Sequence, residues 1–117
     1  MWKNNVVNIS RPASDVVVGA EAAPTVITEG IHCEGYRDVT VTFTGVTAAS
    51  YDLQIWVHDG VSWAQATDAA GAVIDVNGIA TTWAQSFGVA GFSRFIALVN
   101  GGAGFGQVVR QYSVSRF

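Results

Sequence analysis

His32, Cys33 and Glu34 bring together an imidazole, a thiol and a carboxylate, three groups that catalyse. Covalent catalysis needs the thiol and the imidazole within hydrogen-bond reach of each other. Neighbours on an extended strand point to alternate faces, so this triplet cannot converge by itself. The other histidine is His58, and Cys33 lies in no recognisable nucleophile motif. The expected state of Cys33 is therefore a buried or half-buried thiol that behaves as a small hydrophobe. Asp52, Asp59, Asp68 and Asp75 could serve a metal, but they lack the dense carboxylate loop of a calcium site. Asp59 and Asp75 are better explained by turn chemistry. Residues 101–106, Gly-Gly-Ala-Gly-Phe-Gly, resemble a phosphate cradle only superficially, since no lysine follows and no helix is expected after them. Asn8-Ile9-Ser10 matches a glycosylation acceptor but comes without a secretory signal. The expectation is a protein that is not an enzyme and holds no cofactor and no metal.

The residues with more to say are aromatic. Residues 51–66, Tyr-Asp-Leu-Gln-Ile-Trp-Val-His-Asp-Gly-Val-Ser-Trp-Ala-Gln-Ala, read as a hairpin about an Asp59-Gly60 turn. A two-residue turn sets Trp56 opposite Trp63, Gln54 opposite Gln65 and His58 opposite Val61. Leu53, Ile55 and Val57 then form a core face with Ala64 and Ala66. Gln54, Trp56, His58, Trp63 and Gln65 form the other face, the one that should look at water. Exposed aromatic patches mark a partner surface or a flat ligand. Three readings stay open: a subunit or partner interface, a sugar-stacking site with amides nearby, and a face covered by the protein's own N-terminal arm. Arg94 and Arg110 each share a strand face with apolar neighbours, so each is expected to snorkel, to pair with a carboxylate, or to pair across a subunit interface.

The elements that position these residues are strands. Helical periodicity is nearly absent, and short β-branched and aromatic runs alternate with Gly, Asn and Asp breaks. Residues 5–9 and 15–20 read as strands of an N-terminal arm broken at Arg11-Pro12. Residues 36–44 alternate Val39, Val41 and Phe43 against Thr40, Thr42 and Thr44. Asn77-Gly78 predicts a second tight hairpin between 72–76 and 79–83. Residues 92–99 and 107–117 complete about eight strands. The fold expected is an all-β antiparallel sandwich, jelly-roll-like, with an immunoglobulin-like sandwich as the alternative. Residues 1–30 form the arm and edge strands, residues 31–117 the sandwich, and the whole is a single domain.

Only 13% of the 117 residues are charged, well below the ~25% usual in soluble domains, and half are apolar. A small domain with so few charges is expected to have part of its surface covered by other subunits. The net charge of −3 and the scattered basic residues argue against nucleic acid. No apolar run reaches membrane-spanning length, and residues 1–30 lack a basic start followed by a long apolar stretch.

The segments 37–45 (Arg-Asp-Val-Thr-Val-Thr-Phe-Thr-Gly), 51–63 and 93–102 (Ser-Arg-Phe-Ile-Ala-Leu-Val-Asn-Gly-Gly) resemble small all-β virion proteins of tailed bacteriophages, the capsid decoration or cement proteins and related accessory proteins. The resemblance spans most of residues 36–117. It implies a sandwich that binds and reinforces an assembled shell, with a major capsid protein or another virion protein as partner. It also implies a homo-oligomer, with a trimer on a local three-fold axis as the guess, and a virion location after assembly in the host cytoplasm. The interface residues expected are Trp2, Gln54, Trp56, His58, Trp63, Gln65, Arg94 and Arg110. The alternative is a carbohydrate-binding or lectin-like module using Trp56 and Trp63.

Overall fold

The computed structural model describes residues 8–9, 13–47, 49–104 and 106–116. Trp2, expected at an interface, lies outside the described residues. Among the described residues the ten strands are β1 (Asn8–Ile9), β2 (Ala13–Val17), β3 (Ile31–His32), β4 (Asp38–Thr44), β5 (Tyr51–His58), β6 (Trp63–Gln65), β7 (Asp75–Ile79), β8 (Trp83–Gly88), β9 (Arg94–Gly101) and β10 (Val108–Arg116). One sheet runs β1–β10–β4–β8, with β2 on the same flank of β10 as β1; the other runs β3–β9–β5–β6, with β7 continuing the β6 edge along β5. All pairings are antiparallel.

β1 and β2 are two pieces of one interrupted edge, as are β6 and β7. Counting each edge once leaves eight strands, and the chain crosses between sheets at every step except β5 to β6. That order is a jelly roll. It excludes the immunoglobulin-like alternative, in which the first two strands are sheet neighbours. Here the first strands pair with the last.

Alternation builds the core. Val39, Val41 and Phe43 of β4 and Tyr51, Leu53, Ile55 and Val57 of β5 are buried between the sheets, while Thr40, Thr42, Thr44, Asp52, Gln54 and Trp56 are not. Phe95, Ala97 and Val99 of β9 and Val108, Tyr112 and Val114 of β10 complete the interior. Aromatic rings link the layers: Phe43 lies 5.5 Å from Tyr51, Phe87 5.5 Å from Phe95, and Phe95 6.0 Å edge-on to Tyr112. Each fully buried side chain of this size contributes about 1.5–3 kcal/mol.

Two expected turns take other forms. The β5–β6 connection is a four-residue loop, not a two-residue turn, so His58 faces Trp63, Val57 faces Ala64 and Trp56 faces Gln65. The Asp59 side chain drives this. Its Oδ1 accepts the amides of Val61 at 2.8 Å and Ser62 at 3.0 Å, and Gly60 supplies the positive φ of 101°. Those amides of Ser62 and Val61 also hold the Asp59 carboxyl below its ordinary pKa. The register moves by two residues, so every side chain keeps its expected face. At Asn77-Gly78 there is no hairpin. β7 runs straight through the pair, and the register on β5 slips by one between Tyr51–Ile79 and Leu53–Val76. Gly78, at φ 69°, donates its amide to Asp52 Oδ1 at 2.8 Å, so the dipeptide forms a β-bulge.

Candidate functional site

The outward row of the second sheet holds most of the residues singled out in the sequence. Cross-strand registers give three rungs: Trp63–His58–Arg94, Gln65–Trp56–Ile96 and Asp75–Gln54–Leu98. Trp56 and Trp63 thus share a face, as expected, but sit diagonally on adjacent rungs instead of opposite each other. The Trp63 ring stands edge-on to His58 at 5.2 Å.

This face does not look freely at water. Ile96 and Leu98 point outward yet are 6% and 2% exposed, His58 is 4% exposed, and both indoles are half-buried. The cover is the chain's own segment 18–30, which links β2 to β3. It enters at β9, where the Glu21 amide donates to Val99 O at 2.7 Å. It crosses to β6, where Trp63 Nε1 donates to Val26 O at 2.9 Å. It returns to β9, where Arg94 donates from Nε to Glu29 O at 2.9 Å and from Nη2 to Gly30 O at 3.1 Å and Thr28 O at 3.3 Å. Contacts on β9, on β6 and on β9 again make this segment a strap across the sheet. Pro24 is buried within it.

Local chemistry shapes the strap. Glu29 Oε2 accepts the amides of Thr25 at 2.7 Å and Val26 at 2.9 Å, and those of Val26 and Thr25 hold its carboxyl below the ordinary 4.5. Gly30 returns the chain to the sheet at φ 69°, so close to the Phe95 carbonyl and to Ile96 that a β-carbon would collide with them. The strap's outer surface is apolar. Val26 and Ile27 are 53% and 56% exposed beside Trp63, and Val61 stands out from the adjoining β5–β6 loop.

Polar atoms around the indoles are already engaged. Trp56 Nε1 donates to Gln54 Oε1 at 3.1 Å, and Gln65 Nε2 donates to Asp75 Oδ1 at 3.1 Å. His58 Nδ1 accepts the Gly60 amide at 2.9 Å, which fixes the ring against its own loop.

Arg110 is on the opposite side of the core. It points between the sheets, 4% exposed, and its five N–H groups all find partners inside the chain. Nε and Nη2 fork onto the Asp15 carboxylate at 3.1 and 2.7 Å, Nη1 and Nη2 onto Glu21 at 2.7 and 3.0 Å, and Nη1 also reaches Ala97 O at 2.9 Å. Burial works against its charge, but the hydrogen bonds to Asp15 and the neighbouring Tyr112 and Glu21 outweigh that and raise its pKa. The reason lies in the sheet edge. β3 pairs with β9 only at Phe95 and Arg94. Beyond it the Ala97 amide donates to Tyr112 Oη at 3.1 Å and the Val99 amide to Glu21 Oε1 at 3.0 Å. Arg110, Tyr112 and Glu21 therefore take the place of a missing neighbour strand. This use leaves the Arg110 guanidinium no donor for a neighbouring subunit.

The sequence's chemical candidates do not converge. Cys33 is fully buried, its Sγ donates to Phe92 O at 3.6 Å, and burial pushes its pKa up to about 11, so it stays a thiol at neutral pH. His32 is exposed on the surface, 3.8 Å from Glu34. Asp52 and Asp59 accept backbone amides of a bulge and a loop, and Asp68 accepts those of Ala70 and Ala72. Asp75 serves the Gln65 side chain instead of a turn. The strap itself had one visible signal, Pro24 followed by Glu29-Gly30, a capping carboxylate and a left-handed glycine at the end of a segment without alternation.

The crystal structure of SPBc2 prophage-derived protein YomS matches this fold with a TM-score of 0.53 at 17% sequence identity, covering 91% of this chain and 96% of that one. No protein-family model matches the sequence, and no curated protein does. At that identity the likeness is one of fold.

Proposed function

We propose that this protein is a non-enzymatic virion structural protein that docks on an assembled phage shell, as a capsid decoration protein does, through the strapped face of its second sheet. The observation that carries the reading is the strap's construction. Arg94, Trp63 and Glu29 together direct six hydrogen bonds into residues 25–30, and the result is to hold Val26 and Ile27 in the open beside Trp63. Ordering the strap is offset in the monomer by the cover it gives Ile96 and Leu98, but leaving Val26 and Ile27 in the open is not, so the return on those two side chains lies in what they touch. Many copies on one shell turn modest apolar contacts into tight attachment. The prophage origin of the structurally similar protein supports the setting. The carbohydrate alternative is weaker here, because the indole N–H groups and the Gln65 amide that would orient a sugar are already bonded.

The test is co-sedimentation of the purified protein with phage heads assembled without it. Wild type is expected to pellet with the heads at saturating, countable stoichiometry. A Val26→Ser, Ile27→Ser double variant, altered only at exposed side chains, is expected to lose at least tenfold in affinity while melting normally. Wild-type protein that stays in the supernatant at all concentrations would overturn the proposal, and so would undiminished binding by the double variant.

A further inference from the structure

β8 closes one end of the first sheet, and among the described residues no strand pairs with its outer side. An antiparallel ladder alternates its hydrogen bonds, so half of this strand's residues aim their N–H and C=O away from β4 into the open. Natural edges are guarded by charges, proline or bulges because a bare edge recruits another strand. β8, Trp-Ala-Gln-Ser-Phe-Gly, carries none of these, and no charged residue occurs anywhere from Val76 to Ser93. The other edges differ: β3 is only two residues long, the β6/β7 edge is broken, and the β1/β2 edge carries Asp15.

We propose that β8 pairs antiparallel with β8 of a second copy, about a two-fold axis through Gln85, to make one continuous sheet across a dimer. The occupant is argued from charge and from pattern. Each chain has a net charge of −3 and would repel its copy over most of its surface, but the edge is neutral. A two-fold axis through the sheet requires opposed residues to share a face, which centres the pairing on a residue. With Gln85 opposite itself, Trp83 faces Phe87 of the second copy and Ala84 faces Ser86. Large side chains oppose large and small oppose small, and each aromatic cross-strand pair is a stabilising unit of a sheet.

The interior behind β8 accommodates this. Gln85 sits between Trp83 and Phe87 on the row that faces the other sheet, yet it is exposed, and Trp83 is only half-buried. A hollow of about 230 Å³ opens at the Phe87–Gly88 end of the strand, lined also by Ile55, Val57, Ile74, Phe92 and Phe95. The second copy's Trp83 would arrive beside Phe87 at its mouth. The strapped face belongs to the other sheet, so pairing here leaves it free.

The experiment is a charge exchange read by sedimentation equilibrium. Wild type is expected to show the mass of two chains at micromolar concentration. Gln85→Lys and Gln85→Glu each place like charges opposite each other, and each is expected to weaken association at least tenfold. Mixed one to one, the two are expected to recover the dimer. A Gln85→Cys variant is expected to form a disulfide-linked dimer on oxidation, since directly opposed β-carbons lie within about 5.5 Å and Cys33 is buried away from it. A monomeric or trimeric wild type would overturn the inference, as would single variants that still dimerise or a mixture that does not. None of these outcomes bears on whether the protein binds heads.

Discussion

Replacing Arg110 with methionine tests whether its guanidinium substitutes for a strand. Methionine keeps the apolar stem and nearly the volume, so packing around Val108 and Tyr112 persists and the effect isolates the charged fork. Two things are lost. The Ala97 carbonyl, buried at the edge of β9, loses its donor, at a cost of about 1–3 kcal/mol. Asp15 and Glu21 lose their cation. Breaking a fully buried pair costs about 3–5 kcal/mol, but the side chains of Asp15 and Glu21 are 52% and 28% exposed and can turn to water, so only a fraction of that applies. Against these losses stands the relief of no longer burying a cation. The net expectation is a destabilisation of roughly 2–3 kcal/mol, a large share of the ~5–15 kcal/mol that holds such a domain folded. In urea this lowers the midpoint by roughly 1–2 M. Asp15→Asn in the Arg110→Met background is expected to cost less than in wild type, giving a coupling above about 0.5 kcal/mol. Hydrogen exchange supplies the local readout: the Ala97 and Val99 amides lose protection more than those in β4. An unfolding free energy within about 0.5 kcal/mol of wild type, with those two amides still protected, would refute the role.

Two further perturbations address the strap. Gly30→Ala forces a β-carbon onto the Phe95 carbonyl at a left-handed φ, and is expected to cost roughly 2–4 kcal/mol by thermal or urea denaturation, whereas alanine at the open, negative-φ Gly88 should not. Glu29 has a folded pKa below its ordinary 4.5, so its contribution is complete above that value and fades as pH falls through the folded one. Tryptophan fluorescence should report the Trp63–Val26 contact loosening below about pH 4.5. Glu29→Gln, which keeps an acceptor but cannot titrate, should abolish that acid-induced change; a transition identical in the variant would assign it elsewhere.

Most of the sandwich was legible because alternation is a local signal. The Val-Thr-Val-Thr-Phe-Thr run of β4 and the Leu-Gln-Ile-Trp-Val-His run of β5 announce which residue faces the core, and the structure agrees on the face of each one; His58 alone points outward and is nonetheless buried. The errors fall where one short motif serves two geometries. Asn-Gly satisfies a hairpin turn or a bulge, because both place the glycine at positive φ; what favours the bulge is Asp52, a residue 26 positions away that accepts the Gly78 amide. Asp-Gly suits both a two-residue turn and the first half of a longer Asx loop, and a two-residue slip leaves no trace in the face pattern. Arg110 was legible as a charge among apolar neighbours, but its partners are 95 and 89 positions distant, beyond any spacing rule. Cover by the N-terminal arm was one of the readings the sequence left open, but the strap's path escaped because that segment has no period at all, only caps.

The low charge content takes on a different meaning once the charges are located. A chain with few charged residues was expected to hide surface against other subunits. Yet several of the charges it has are spent on internal geometry: Arg110 on a sheet edge, Arg94 and Glu29 on the strap, Asp52, Asp59 and Asp68 on backbone amides. What distinguishes a docking surface is then where exposed bulk lies, not how few charges there are. Of the six large hydrophobics most exposed among the described residues, four, Val16, Val18, Val26 and Ile27, fall within twelve consecutive positions of β2 and the strap. The two indoles that first drew attention to this face now act mainly beneath the surface, Trp56 as filler and Trp63 as a pin. In the proposed docking, the adhesive element is the loop they support. It follows that changes to Trp63 and changes to Val26 and Ile27 should part company: the first should weaken folding and docking together, and the second should weaken docking alone.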